Sequence, residues 1–459
     1  MPAHTTIQHY TPHATLAALG LKLQSLKLFS AVEELVHIPQ KVIKHQPVEK
    51  LYDAFIAILA GAHGLSEVNT RLRSDPALQR AFGRQSCAEQ SVVQRTLDAC
   101  TEENVTQMRR ALDSIFRAHS QAFRHGYRAE LLLLDVDMTG MPCGPKAELS
   151  AKGYFAQAGI RYGRQLGRVV ATRYDEVLTD RLFGGGVQLN RALRPLVAAA
   201  EQTLKSSYYR RQRTVLRVDA GGGSLDDVNW CLARGYQVHC KDVSSKRAEA
   251  WAATAQEWFD DPHHPGRQMG WLVPEESLDY VRPVRRLAIR WPKRNGQIGH
   301  TILISTLEPR DVLRLLGRPE RDVYEPELVT LAYAEFYDKR GGAIEIEIKE
   351  DKQGFGMTKR RKKRGAAQEM VVLLNQLAHN VLVWAKLWLS ELAPKLSRYG
   401  VLRLVRDLLS VSGMVEFNER KNKVKRIVLN RAAPLVRGLL AALRELLLPQ
   451  KVVLILREI

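Results

Sequence analysis

Two predicted strands end in aspartates that could bind metal ions together. The apolar run Leu131 to Leu134 leads to Asp135 and Asp137, and the run Thr214 to Val218 leads directly to Asp219. Such runs are typical of buried strands, and a sheet can hold carboxylates side by side at its strand ends. Carboxylate oxygens suit Mg²⁺, and two Mg²⁺ ions roughly 4 Å apart promote phosphodiester cleavage by activating the attacking oxygen and stabilising the leaving one. With a third carboxylate, these aspartates would form such a site.

The segments around these aspartates alternate between strand and helix. Val169 to Thr172 is another strand candidate, and the residues from Ser224 can cap a helix that runs to about Ala233. Tyr236 to Val243 then has the pattern of a further strand. This alternation is typical of α/β domains, so we predict that residues 126–264 form the first part of an α/β core.

A different pattern follows the core segment. Three short strand candidates, Met269 to Val273, Arg285 to Trp291 and His300 to Ser305, are separated by proline and charged turns. We predict an all-β insertion at residues 265–310 and a return to the core at residues 311–358.

The charge balance predicts a polyanionic partner. Lys and Arg outnumber Asp and Glu by 69 to 49, and residues 359–459 carry 21 of the basic residues against 7 acidic ones. Such an excess favours nucleic acid, ahead of an anionic membrane surface. We predict a basic helical region at 359–459 that opens with a run of six cations. Phosphate contact is favoured for this run over a solvated loop, because adjacent like charges repel unless a polyanion neutralises them. The six are Lys359, Arg360, Arg361, Lys362, Lys363 and Arg364.

Residues 1–125 have the pattern of a helical region. Asp75-Pro76 can begin one helix, and Ser86 with Glu89 has capping-box spacing before another. Two such helices could form a DNA-binding helix-turn-helix, or belong to an ordinary helical bundle. The five cysteines lack zinc-site spacing, and neither a signal peptide nor an uninterrupted run of eighteen apolar residues is present. We therefore expect a soluble, cytoplasmic protein associated with the nucleoid, with no membrane partner.

The third carboxylate comes from a family resemblance. The segment Tyr337-Asp-Lys-Arg340-Gly-Gly-Ala-Ile-Glu345-Ile-Glu-Ile-Lys349-Glu-Asp-Lys352 resembles the Tyr, Arg, Glu, Lys signature of bacterial insertion-sequence DDE transposases of the cut-and-paste kind. Four residues separate Arg340 from Glu345, where three are usual in the family. The tripeptide Asp137-Met-Thr139 and the sequence around Asp219 also resemble the family's first and second aspartate motifs. The first motif selects Asp137, and Asp135, on the same strand face, stays the alternative.

The segment around Glu345 could be a helix or a strand. A helix over residues 344–353 places Glu345, Lys349 and Lys352 on one stripe. A strand is the alternative, because isoleucines alternate with glutamates from Ile344 to Ile348 as period two requires. The period-two alternation slightly favours the strand, whereas the family resemblance implies the helix. We predict the helix.

The resemblance implies a DNA transposase with a ribonuclease H-like core. Asp137, Asp219 and Glu345 would hold two Mg²⁺ ions, with Mn²⁺ as a substitute. The enzyme would bind the terminal inverted repeats of its element, cleave them, and join the 3′ ends to target DNA as a homodimer. The alternatives are a non-catalytic DNA-binding protein derived from a transposase and a metal-dependent nuclease of the same fold.

The resemblance also implies DNA contacts outside the three carboxylates. Tyr337, Arg340, Lys349 and Lys352 would position phosphates. Related transposases stack a flipped base on a tryptophan, which makes Trp271 and Trp291 candidates; base stacking of this kind contributes about 1 to 3 kcal/mol. Packing inside the β insertion is the alternative for either indole.

Overall fold

The computed structural model describes residues 6–42, 44–155, 159–273, 280–418 and 423–459. Strands in these ranges form two sheets. The strands are β1 (Thr6–Thr11), β2 (Leu132–Pro142), β3 (Ala151–Phe155), β4 (Gly159–Ala171), β5 (Glu176–Gly184), β6 (Thr214–Val218), β7 (Gln237–Lys241), β8 (Phe259–Asp260), β9 (Gln268–Trp271), β10 (Arg285–Pro292), β11 (Ile298–Ser305), β12 (Gly413–Asn418), β13 (Lys423–Asn430) and β14 (Val453–Arg457).

Helices make up much of the remainder, with short 3₁₀ and π turns between them. They are α1 (Ala14–Ser25), α2 (Ser30–Leu35), α3 (Pro47–Leu59), α4 (Pro76–Ala81), α5 (Gln90–Ala99), α6 (Glu102–His119), α7 (Leu189–Leu204), α8 (Tyr208–Gln212), α9 (Leu225–Ala233), α10 (Ser245–Ala252), α11 (Pro309–Leu316), α12 (Pro326–Asp338), α13 (Ile346–Gly354), α14 (Gly365–Ser390), α15 (Val401–Arg403) and α16 (Val436–Leu447). The predicted mixed α/β class is confirmed.

The chain divides into two compact units. One comprises residues 1–120, 141–151 and 347–459, and the other comprises residues 121–140 and 152–346. We call them the terminal unit and the central unit.

The large sheet of the central unit is parallel at its centre. Its order is β3-β4-β2-β6-β7-β11-β10-β9-β8, with β5 paired to β4. β2, β6 and β7 run parallel, and β6 is buried throughout its length. Parallel strands that are covered on both faces need continuous apolar sequence, which explains the uniform runs that lead to the aspartates.

The strands predicted at 265–310 extend this same sheet and do not form a separate β domain. β11 pairs antiparallel with β7, and β10 and β9 follow it. Leu287 and Ile289 face a cluster that contains Tyr333 of α12, while Ala288 packs beside Ala248 of α10. Alternate residues of β10 therefore bury on both faces, so helices cover this part of the sheet as they would a core strand.

The terminal unit contains strands as well as helices. Its sheet has the order β1-β12-β13-β14, and β1 pairs antiparallel with β12. The region 359–459 is therefore not wholly helical as predicted, because Val415 and Phe417 alternate inward on β12. Arg420 and Lys421, which belong to a second basic run, lie outside the described residues.

Helix α14 lies in the core of the terminal unit. Among the described residues it is the one helix with the length and hydropathy to cross a membrane, and 89% of its most apolar window is buried inside the protein. Core helices of this length commonly have such hydropathy.

Candidate active site

Adjacent parallel strands bring Asp137 and Asp219 to the same edge of the large sheet. The register of β2 and β6 pairs Leu132 with Thr214 and ends at Val136 and Val218, so each aspartate directly follows the last pair. Neighbouring strands lie about 4.8 Å apart, and side chains at equivalent positions point to the same face. The apolar strands thus fix two carboxylates side by side, as their sequence predicts.

A tight glycine turn holds Asp219. Its Oδ1 accepts a hydrogen bond of 2.8 Å from the Gly221 amide, and a 3₁₀ turn over Ala220–Gly222 follows. A Cβ at Gly223 would lie 1.7 Å from the Lys241 carbonyl oxygen. Gly223 is therefore required for the close approach of β7 to this turn.

Glu345 ends a π-helical turn, Gly341–Glu345, that continues into α13. The helix predicted for this segment is confirmed. Ile344 and Ile348 are buried, whereas Ile346 is 48% exposed. A strand would bury all three isoleucines on one face, but a helix buries the pair four residues apart. The π turn, with its extra residue, takes up the additional spacing between Arg340 and Glu345.

The guanidinium of Arg340 lies among the candidate metal ligands. Its Nη1 is 3.4 Å from Oδ2 of Asp137, and its Nη2 donates to Oε1 of Glu345 at 3.1 Å. The Arg340 side chain is 8% exposed, and its Nε and Nη1 have no hydrogen-bond acceptor within the described residues. The Arg340 guanidinium therefore contacts two carboxylates, while two of its nitrogen donors have no acceptor among the described residues.

Burial and neighbouring charges set the ionisation of Asp137. The pKa of this carboxyl is raised to about 6, chiefly by burial; Arg340 opposes the shift, and the charges of Asp219 and Glu345 add to it. Burial also opposes the charge of Arg340, but Asp137, Tyr337, Asp219 and Glu345 raise the pKa of the guanidinium above its usual value. The site thus gathers more negative charge than one arginine compensates.

The three carboxylates do not form a ready-made metal site. Within the described ranges, no group of three His, Cys, Asp or Glu side chains could hold a metal ion as it stands. The donors are nevertheless hard oxygens, which suit Mg²⁺, and a cation would offset both the burial and the neighbouring negative charges that raise the pKa of Asp137. The three carboxylates could bind a divalent cation if the Arg340 guanidinium moved away from Asp137 and Glu345.

Asp135 is fully committed to a structural pair. Its two oxygens accept hydrogen bonds of 2.7 Å each from Nε and Nη2 of Arg217, and Oδ2 also accepts one of 2.8 Å from Thr172. Both members of the Asp135–Arg217 pair are almost completely buried. The geometry therefore favours Asp137 over Asp135 as the candidate ligand.

The family model of the transposase DDE domain, group 1, matches residues 9–448. The chain belongs to this DDE transposase family. Among solved structures, the chain is similar to the piggyBac transposase synaptic complex with hairpin DNA, with 12% identity and a TM-score of 0.34 over 85% of this chain and 84% of that one. No curated protein matches the sequence. The predicted resemblance to DDE transposases is confirmed, whereas the bacterial insertion-sequence origin and the Tyr, Arg, Glu, Lys signature stay predictions.

Lys241 is a neighbour of the candidate site that the sequence did not indicate. Its Nζ lies 4.3 Å from the ring centre of Tyr337, and Tyr337 itself is buried. Burial lowers the pKa of Lys241, although Asp338 opposes that shift. The available signal was its place at the end of β7, the third parallel strand, directly after the last residue pair that β7 forms with β6 and level with Asp219.

Both candidate base-stacking tryptophans contact the protein itself. Trp271 donates from Nε1 to Oγ1 of Thr330 at 2.9 Å and meets the Tyr333 ring edge-on. Trp291 lies opposite Gly299 on β11, where a Cβ would come within 2.6 Å of its ring. Both indoles are half-buried, and base stacking by either one stays a prediction.

The run of six cations is not a uniform DNA-binding surface. Arg360 is buried and donates to the Phe355 carbonyl at 2.5 Å and to the Ala62 carbonyl. Lys362 is buried and pairs with Asp98 at 3.3 Å. These two residues stabilise the terminal unit, so the prediction that all six face a polyanion is wrong for them. Four members are exposed, Lys359, Arg361, Lys363 and Arg364.

The remaining candidates, Lys349 and Lys352, lie on α13. Lys349 is exposed and Lys352 is half-buried. Their phosphate-positioning role stays a prediction.

Proposed function

We propose that this protein is a DNA transposase that binds the terminal inverted repeats of its element, cleaves them by Mg²⁺-dependent phosphodiester hydrolysis and joins the freed 3′ ends to target DNA. Its core would be ribonuclease H-like, which the parallel β2, β6 and β7 beside the antiparallel β4 and β5 support. Two element ends must be held together, so it would act as a homodimer on double-stranded DNA, in the cytoplasm at the nucleoid.

The observation that carries the proposal is the convergence of Asp137 and Glu345 on the Arg340 guanidinium, at 3.4 and 3.1 Å, with Asp219 at the equivalent position of the adjacent strand. These carboxylates are 82 and 126 residues apart in the sequence, yet the charges of Asp219 and Glu345 both act on Asp137. Perturbed ionisation of this kind is concentrated at functional sites. These three residues would hold the divalent ions, which, when bound, would activate the attacking oxygen and stabilise the leaving oxygen.

Arg340 has a distinct role in this proposal. Without DNA, its guanidinium partly neutralises Asp137 and Glu345. Its unused donors suit a phosphate oxygen, because a planar guanidinium can form two parallel hydrogen bonds with one phosphate. Movement of Arg340 toward the DNA backbone would uncover the carboxylates, so substrate binding and assembly of the cleavage site would be coupled.

The decisive experiment uses labelled element ends with Mg²⁺ or with EDTA. We expect cleavage and joined products with Mg²⁺, and neither for Asp137→Asn, while end binding persists because it rests on other residues. Asp226→Asn is the matched control, since Asp226 is exposed and pairs only at the surface with Arg194. Cleavage without joining would indicate the nuclease, and binding without cleavage would indicate the non-catalytic DNA-binding protein. Undiminished cleavage by Asp137→Asn would contradict the site assignment.

A further inference from the structure

A pocket in the terminal unit combines a buried ammonium with a ring of exposed cations. It has a volume of about 310 Å³, and Lys50 of α3 is part of its lining. Lys50 is 4% exposed, and the acceptor it contacts is the neutral amide oxygen of Gln40, at 3.1 Å. That oxygen also accepts from Thr96 at 2.6 Å. A buried ammonium normally has a carboxylate partner, so this one lacks its usual counter-charge.

Neighbouring carboxylates are committed elsewhere. Glu49 and Asp53 both pair with Arg84, Asp53 at 2.8 Å. Burial lowers the pKa of Lys50 and the charge of Arg95 lowers it further, while the charge of Glu49 opposes this shift. Local geometry therefore leaves Lys50 without a compensating anion from the described part of the chain.

The rim of the pocket also carries more positive than negative charge. Four exposed cations line it, and none forms an ion pair with a described carboxylate; they are Lys41, Lys44, Arg73 and Arg95. Glu89 is the one carboxylate in the lining. Because Glu89, Val92 and Arg95 follow one another at intervals of three residues, a single face of α5 forms one wall.

We propose that this pocket binds a backbone phosphate of DNA, with Lys50 at its floor and the rim cations on the flanking phosphates. The proposal rests on the transposase function proposed above. Five cations against one carboxylate fit an anion, and a rim that continues the positive charge outward fits a chain of phosphates better than a single small anion. A free phosphate compound offers the same chemistry at the floor but leaves the rim unused.

The test measures how DNA affinity depends on salt concentration for wild type, for Lys50→Met and for a rim variant. In the rim variant, Gln replaces all four rim cations, Lys41, Lys44, Arg73 and Arg95. Each phosphate contact contributes a slope of about 0.9 in log affinity against log salt. We expect Lys50→Met to lower the slope by about 0.9 and the rim variant by about 3.6. Lys395→Gln with Arg398→Gln is the matched control, because both are exposed in the same unit and outside the pocket; its slope should change less.

Thermal unfolding with and without pyrophosphate provides a second readout. Pyrophosphate should raise the Tm of wild type but not that of Lys50→Met, and Lys50→Met alone should keep or raise the Tm because it removes an uncompensated buried charge. A lower Tm with an unchanged salt slope would make Lys50 structural and overturn the pocket. Loss of the pyrophosphate effect with an unchanged slope would overturn DNA as the occupant.

The two proposals fail in different ways. If wild type binds and cleaves element ends while both pocket variants keep the wild-type slope, the pocket is wrong and the transposase function stands. If wild type neither binds nor cleaves element ends, the transposase function fails, and DNA is excluded as the occupant even where pyrophosphate raises the Tm.

Discussion

Asp135 and Asp137 lie two residues apart on one strand, yet their surroundings differ completely. Asp135 receives two hydrogen bonds of 2.7 Å from Arg217 and one of 2.8 Å from Thr172. Asp137 has the Met138 amide at 2.8 Å and Arg340 no closer than 3.4 Å. A buried carboxylate with complete partners stabilises the fold, whereas one with loose partners can exchange them for a substrate or an ion.

The arginines differ in the same way. Arg217 also donates to the Phe336 carbonyl and lies 4.9 Å from the Phe336 ring centre, so β6 and α12 both fix it. Arg340 directly precedes a π turn and has unused donors. The sheet thus contains the fixed ion pair Asp135–Arg217 and, two residues further along β2, the exchangeable pair Asp137–Arg340.

Breaking the fixed pair should have the largest effect. Asp135→Asn leaves the Arg217 charge buried without compensation, which typically costs 3 to 5 kcal/mol of unfolding free energy. Denaturant unfolding of the purified variant measures this loss. In the double variant Asp135→Leu with Arg217→Met, most of the stability should return because no charge remains buried. A loss below about 1 kcal/mol in Asp135→Asn would show that the two pairs do not differ as their geometry indicates.

Breaking the exchangeable pair should stabilise the protein at neutral pH. The pKa of Asp137 is about 6 in the folded protein, compared with about 3.9 for an unfolded aspartate, so ionisation costs about 2 to 3 kcal/mol of stability. That cost is absent below pH 4, grows between pH 4 and pH 6, and is complete above pH 6. Asp137→Asn should therefore be more stable than wild type at pH 8 and equal to it below pH 4.

Unfolding in EDTA at several pH values measures this difference. Asp226→Asn again serves as the control, since its exposed carboxyl should give no comparable pH-dependent gain. A destabilised Asp137→Asn at pH 8 would mean that Arg340 binds Asp137 more strongly than their separation indicates.

The sequence could predict the strands that carry the aspartates but not which charges have partners. β2 continues past Asp137 to Pro142, so the predicted strand end at Asp137 is wrong. Uniform apolar runs locate β2 and β6, and thereby Asp137 and Asp219, because a doubly covered parallel strand has no polar face. The helix at Glu345 came from the family resemblance, since the alternating isoleucines alone slightly favour a strand. Burial of one isoleucine pair four residues apart became visible only in three dimensions.

Contacts between residues far apart in the sequence determine which charges are buried and which strands pair, and the sequence patterns do not show these contacts. Arg360 and Lys362 look like their exposed neighbours, but their partners Ala62 and Asp98 lie more than 250 residues earlier. The pairing of β11 with β7 likewise depends on a sheet edge that period-two patterning does not identify. Composition gives the amount of charge in a segment, and only the fold assigns each charge a partner.

The smallest expected effect is the response of stability to Mg²⁺, and it separates the two aspartates directly. A ligand that binds only the folded state raises stability by RT ln(1 + [L]/Kd), which is about 1 kcal/mol at five times the Kd. Wild type should gain this amount at pH 8, where Asp137 is ionised, and much less at pH 5, where its pKa of about 6 keeps it largely protonated. Asp137→Asn and Glu345→Gln should gain less at either pH, whereas Asp226→Asn should respond as wild type does. Titration of Mg²⁺ during thermal unfolding makes this measurement without DNA or turnover. An equal gain in wild type and Asp137→Asn at pH 8 would show that the ion binds elsewhere. Asp137 would then have no metal-binding role to distinguish it from Asp135.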